Sequence, residues 1–164
     1  QNFLACGALS PRNLNEEPPE TRQELAKRIA IALNDGYRLS NILAGSATAE
    51  QTQLRANGEL LMVTWLDQRA EEYFSLPNGQ RAPFIDRQVE AVSRWDVLEL
   101  LAPQQSLAKD DFVSLGTLAR YATSLEQWIE RLPPPRQPPV RQLVAAMQQR
   151  WITRLMQSGT LSPK

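Results

Sequence analysis

Twelve prolines, at positions 11, 18, 19, 77, 83, 103, 133, 134, 135, 138, 139 and 163, decide what this chain can fold into. Proline interrupts helix interiors and strand ladders, so the proline-free stretches are the candidate elements. They run 20–76, 84–102, 104–132 and 140–162. Each is long for a strand and suited to a helix. No β-branched run with a two-residue period interrupts them. The expected fold class is all-α.

Five helices follow from the periodicity. Helix A is expected over about 19–34, with Pro19 in its first turn, Leu25, Ile29, Ala32 and Leu33 on one face, and Asp35-Gly36 ending it. A short helical turn over 37–44 carries Tyr37, Leu39, Ile42 and Leu43. Helix B covers about 49–75, opened by a capping box of Thr48 and Gln51. Its stripe of Leu54, Leu61, Met62, Trp65 and Tyr73 leaves Leu60 and Val63 off-phase, which predicts neighbours on two sides. Asn57-Gly58 reads as a weak point inside it.

Helix C is expected from Ala82-Pro83, with Phe84, Ile85, Val89, Val92 and Trp95 inward and Asp86, Arg87, Glu90 and Arg94 outward. Its apolar phase shifts after Trp95 to Val97, Leu98, Leu100 and Leu101, which predicts a break near Asp96. Helix D, about 110–131, repeats Leu115, Leu118, Ala122, Leu125, Ile129 and Leu132 at spacings of three and four, with Tyr121 and Trp128 on the flank. Helix E, about 139–157, shows Val140, Leu143, Val144, Met147, Trp151 and Leu155 on one face.

Two segments 56 residues apart resemble each other. LPNGQRAPFIDRQVEAVSRW over 76–95 and LPPPRQPPVRQLVAAMQQRW over 132–151 match at five of twenty positions, including Leu76/Leu132, Pro77/Pro133 and Trp95/Trp151. The physical reading is one helical hairpin used twice: helix, Leu-Pro corner, proline-started helix. The expected architecture is therefore a four-helix-type bundle. It is built from two similar hairpins, about 49–102 and 105–158, plus an N-terminal helix. Residues 1–18 form an arm, 19–159 one helical domain, and 160–164 a tail.

Composition narrows the function. The chain holds no histidine and one cysteine. That removes Ser-His-Asp and Cys-His catalysis, the commonest metal ligand, and any disulfide within the chain. No P-loop, nucleophile elbow or dinucleotide-binding glycine motif occurs. No cofactor or metal is implied. Acid pairs remain at Asp67/Glu71, Asp86/Glu90, Glu71-Glu72 and Asp110-Asp111, the basis of a minor carboxylate-hydrolase reading. Asp86 and Glu90, however, sit on the polar face of helix C beside arginines, which favours a solvated charged face.

Eighteen basic and eighteen acidic residues give zero formal net charge, which argues against a nucleic-acid partner. From Leu132 onward, however, there are Arg136, Arg141, Arg150, Arg154 and Lys164 and no acid. The run PPPRQPP over 133–139 suits either polyproline II or a stiff corner, and the matching corner at 76–83 favours the second. Near the N-terminus, Phe3-Leu4-Ala5-Cys6-Gly7 resembles a bacterial lipobox, with Phe where Leu is usual. A membrane tether through a preceding segment is consistent with that, and the expected location is membrane-associated or cytoplasmic.

These features lead to two expectations. The first is a non-enzymatic helical interaction or structural domain that binds a protein partner. It would do so through an apolar patch containing Leu98 and Leu101, with Arg150 and Arg154 as its polar rim for an acidic partner. The second is a small-molecule-sensing bundle. Trp65, Trp95, Trp128 and Trp151 lie one on each long helix, as core anchors or as the lining of a pocket. An apolar cavity beside Trp65 and Trp95 would distinguish the second from the first.

Overall fold

In a computed structural model the described residues are 12–44, 46–96 and 115–157, with the side chains at 42, 44 and 115–121 left out. All the regular structure among them is helical. After a 3₁₀ turn at Leu14–Glu16, the chain forms α1 (Pro19–Asn34), α2 (Leu39–Ala44), α3 (Thr48–Ser75) and α4 (Asn78–Arg94). Then come α5 (Leu115–Ile129), a 3₁₀ turn at Pro134–Arg136, and α6 (Gln137–Gln157).

Several boundaries follow directly from side-chain chemistry. Pro19 opens α1, and α1 closes in a Schellman motif. The Tyr37 N–H donates to the Ala32 carbonyl at 2.9 Å and the Gly36 N–H to Leu33 at 3.1 Å. Gly36 sits at φ +86°, the left-handed geometry this motif requires.

Other boundaries depart from expectation. Thr48 does not cap α3. Ala47 takes that position and Thr48 is the first helical residue, while the Gln51 side chain donates to the Ser46 carbonyl instead. Helix α4 begins at Asn78, not at Pro83, and carries Pro83 inside it. The Leu76-Pro77 corner already starts the helix. Pro83 and Gly79, whose carbonyl loses its donor there, are both exposed, so water can serve that carbonyl. Residues 97–101 and 110–114, which carry the expected phase shift and the start of helix D, lie outside the described residues.

The long helix α3 is the hub. It is buried on two sides, with Leu61 fully covered and Met62, Val63, Trp65, Leu66 and Ala70 nearly so. Its most extensive neighbours are α1 and α6, and α6 also packs along α4. Helices α3 and α4, consecutive across a tight corner, have few close backbone approaches. Aromatic side chains span the gap: Trp65 meets Trp95 edge-on at 5.0 Å, and Tyr73 meets Phe84 at 6.1 Å.

On α5, the expected stripe is buried at Ile129, half-buried at Leu125 and Leu132, and exposed at Ala122. Trp128, expected on the flank, is buried. The α6 face is buried through Val140, Leu143 and Val144, then half-buried at Met147, Trp151 and Leu155.

The two Leu-Pro corners have the same hydrogen bonds at the 56-residue offset. Leu76 donates to the Tyr73 carbonyl and Gln80 to Pro77; Leu132 donates to Ile129 and Arg136 to Pro133. Side chains repeat the pattern. Arg81 reaches the carbonyls of Leu76 and Phe74, and Gln137 reaches those of Leu132 and Glu130. Beyond the corners the settings diverge. Trp95 is the buried residue that ends α4, whereas Trp151 is half-buried with six further residues of α6 after it.

Candidate functional site

A groove of about 410 Å³ opens to solvent between α1, α3 and α4. Its position follows from helical spacing. Lys27, Ala30, Ile31 and Asn34 share one face of α1, Trp65 and Arg69 lie one turn apart on α3, and Arg87, Gln88 and Ala91 line it from α4. Trp95, ending α4, completes it. Both tryptophans are about 95% covered, so they form the floor. Ile31, at 60% exposure, supplies uncovered apolar surface at its margin.

The floor is held by specific contacts. The Trp95 indole N–H donates to the Asn34 carboxamide at 2.9 Å. The next residue, Asp96, turns back onto α2. Its carboxylate accepts from the backbone N–H groups of Leu39 and Ser40, both at 2.9 Å, and from the Ser40 hydroxyl at 2.7 Å. A carboxylate from a distant helix end therefore caps the N-terminus of α2. Trp95 and Asp96 together tie the end of α4 to the α1–α2 junction beside the groove. The sequence marked a break at Asp96; it contained no local signal for the partner 56 residues upstream.

Lys27, Arg69 and Arg87 are the charged residues of the groove lining, and no acid is among them. Lys27 and Arg87 have no acidic partner among the described residues. Arg69 pairs with Glu72 through one terminal nitrogen at 2.7 Å, while its Nε is enclosed without an acceptor. A second hollow adjoins through Lys27 and Arg69, but Glu71 and Glu72 line that one.

The expected site residues separate. Trp65 and Trp95 meet at the groove; Trp128, on α5, is buried in the core, and Trp151 packs against the core from α6. Leu98 and Leu101 lie outside the described residues. Arg150 and Arg154 are not a free polar rim. Both bind Asp86 on α4, Arg150 with two nitrogens at 2.5 and 3.0 Å and Arg154 at 2.9 Å. The Arg150 hydrogen bond chiefly holds the Asp86 carboxyl below its ordinary value, with desolvation opposing and Arg154 adding.

The acid-free C-terminal stretch is explained by these pairs. Arg136 contacts Asp67 at 2.8 Å and Glu71 at 2.5 Å, and Arg141 contacts Glu126 at 2.5 Å. Four of its five cations are thus committed to acids on α3, α4 and α5, and Lys164 lies outside the described residues. Arg136 and Arg141 are both held more firmly protonated, chiefly by those hydrogen bonds.

The acid pairs of the hydrolase reading are each met by arginine: Asp67 and Glu71 by Arg136, Glu72 by Arg69, Asp86 by Arg150 and Arg154, and Glu90 by Arg94. Asp110-Asp111 lies outside the described residues. Among those residues no cluster of three or more potential metal ligands occurs, and no helix is long and apolar enough to cross a membrane. Compared with known proteins, the chain matches no family model, no curated protein and no solved structure.

Proposed function

We propose that this chain is a non-enzymatic helical binding domain that takes a small molecule with an apolar body into the groove floored by Trp65 and Trp95. The carrying observation is the cavity itself, beside that tryptophan pair. Its volume falls in the range of ordinary ligand pockets, roughly 300–1,000 Å³. Two of its polar groups are held in place, Asn34 by the Trp95 indole and Arg69 by Glu72, as orientation of a ligand requires. The test is a titration with naphthalene-2-acetamide and naphthalene-2-acetate, read by NMR at the four tryptophan indole N–H resonances. Saturable shifts are expected at Trp65 and Trp95, with Trp128 and Trp151 unmoved. Absence of any saturable shift with both compounds overturns the reading.

A second reading, a protein-binding surface, is favoured by one observation. Ile152 and Met156, at 41% and 65% exposure, leave apolar surface on the last turns of α6. In that reading the partner is a protein, not nucleic acid, and the rim is not Arg150 and Arg154. Resonance changes confined to 152–156 on self-association or partner addition would support it.

We further infer that α3–α4 and α5–α6 are two copies of one hairpin, completing a four-helix arrangement with α1 added. The matching hydrogen bonds at both corners support this. Superposing residues 60–95 on 116–151 in an experimental structure tests it; different crossing angles would contradict it.

A further inference from the structure

The geometry points to a particular chemical class for the groove's ligand: a small organic anion with an aromatic or aliphatic body, its acidic group held by Lys27, Arg69 and Arg87. This rests on the reading of the groove as the ligand site and adds what that site selects.

Three observations converge. The groove lining carries three cations from three different helices and no acid, although the chain as a whole is neutral. Many arginines outside the groove are already committed: Arg94, Arg131, Arg136, Arg141, Arg150 and Arg154 each sit on a carboxylate of this chain. Lys27 and Arg87 have no acid partner among the described residues, a lack they share with a few other cations, and packing sets these two together in the groove.

The second observation is Arg69. Its Nε is enclosed and has no acceptor, an arrangement that is unfavourable when left unmet. Glu72 takes only one terminal nitrogen of this guanidinium, and the side chain stays 27% exposed, which leaves donor capacity for an anion. The planar guanidinium groups of Arg69 and Arg87 suit a carboxylate or phosphate, to which arginine donates with two parallel N–H groups.

Third, the rest of the lining is not suited to a bare ion. Ala30, Ile31 and Ala91 join the two tryptophans, and Ile31 is mostly uncovered. A hydrated inorganic anion gains nothing from that surface, whereas an aromatic or alkyl body buries it. The neighbouring hollow shares Lys27 and Arg69 but adds Glu71 and Glu72, which would repel the same ligand. Charge thus directs an anion into the tryptophan groove.

The experiment compares probes of one shape on the full chain: naphthalene-2-acetate, its neutral amide, 2-naphthyl phosphate and inorganic phosphate. Binding is read at the Trp65 and Trp95 indole resonances, at two salt concentrations. The acetate is expected to bind at least about tenfold tighter than the amide and to weaken with salt. In Lys27→Gln/Arg87→Gln, both sites being exposed, that preference should shrink several-fold, with Arg69 alone remaining. The phosphate ester separates the two acid types: tighter binding than the acetate assigns the site to phosphate monoesters, weaker binding to carboxylates. Equal binding of acetate and amide overturns the anion assignment and leaves the groove reading standing. No binding by any naphthyl probe overturns both. Inorganic phosphate matching the acetate would show that charge alone is read and overturn the organic-body half.

Discussion

Asn57 shows how a residue can read one way in sequence and act another way in the fold. Inside a helical pattern, Asn followed by Gly looks like a flaw. In the structure Asn57 is fully buried. Its Oδ1 accepts from the Leu14 N–H at 3.2 Å and from Gln53, and its Nδ2 donates to the Arg12 carbonyl at 2.7 Å. It fastens the 3₁₀ turn at Leu14–Glu16 onto α3 and lets Leu14 reach complete burial. Asn57→Ala should cost roughly 1–3 kcal/mol, since it strands buried backbone groups as well as removing bonds. Amide exchange should accelerate first over 12–17. The glycines make a second, opposed pair of expectations. Gly36→Ala forces a Cβ into φ +86° and should destabilise by about 1 kcal/mol. Gly79→Ala, in the first turn of α4 with open space around its Cβ, should stabilise by up to about 1 kcal/mol. Thermal melts of the two variants should therefore move in opposite directions.

Helices α1 and α3 were legible because proline and apolar period agree, whereas α4 starts five residues before Pro83, which proline alone misplaced. Helix α1 begins and ends where Pro19 and Asp35-Gly36 place it, and α3 falls within a residue of its expected start. What was not legible depends on contacts distant in sequence. Nothing local tells that Asp96 caps α2, or that Asp86, on the polar face of α4, meets α6. Asp96→Ala should loosen α2 by about 1–2 kcal/mol, seen as faster exchange at 39–44 with α3 unaffected. Asp86 makes a pH expectation with a definite sign. Its folded value lies below the ordinary 3.8, so its contribution to stability is complete well above that value. The contribution shrinks as pH falls below 3.8 and is lost once pH passes the depressed folded value. The gap in urea midpoint between the native chain and Asp86→Asn should be constant near neutral pH and close in acid. A gap that persists unchanged into acid would contradict the role of the Asp86 carboxylate.

At the scale of the whole molecule, charge pairing organises how α6 and the turn before it pack among the described residues. The cationic stretch after Leu132 looked like a surface for an acidic partner because sequence shows composition but not who faces whom. Folding sets α6 and its preceding turn against acids on α3, α4 and α5, and the apparent asymmetry is absorbed. The groove at Trp65 and Trp95 was legible only in part. Tryptophans on each long helix suggested either core or pocket, and two of the four combine the roles. Lys27, Arg69 and Arg87 carried no signal, since they come from three separate helices and only packing gathers them. The most direct measurement is an experimental structure of the chain with naphthalene-2-acetate. The account expects the rings against Trp65, Trp95 and Ile31, with the carboxylate among Lys27, Arg69 and Arg87. A ligand seated elsewhere, such as along Ile152 and Met156 on α6, would contradict it.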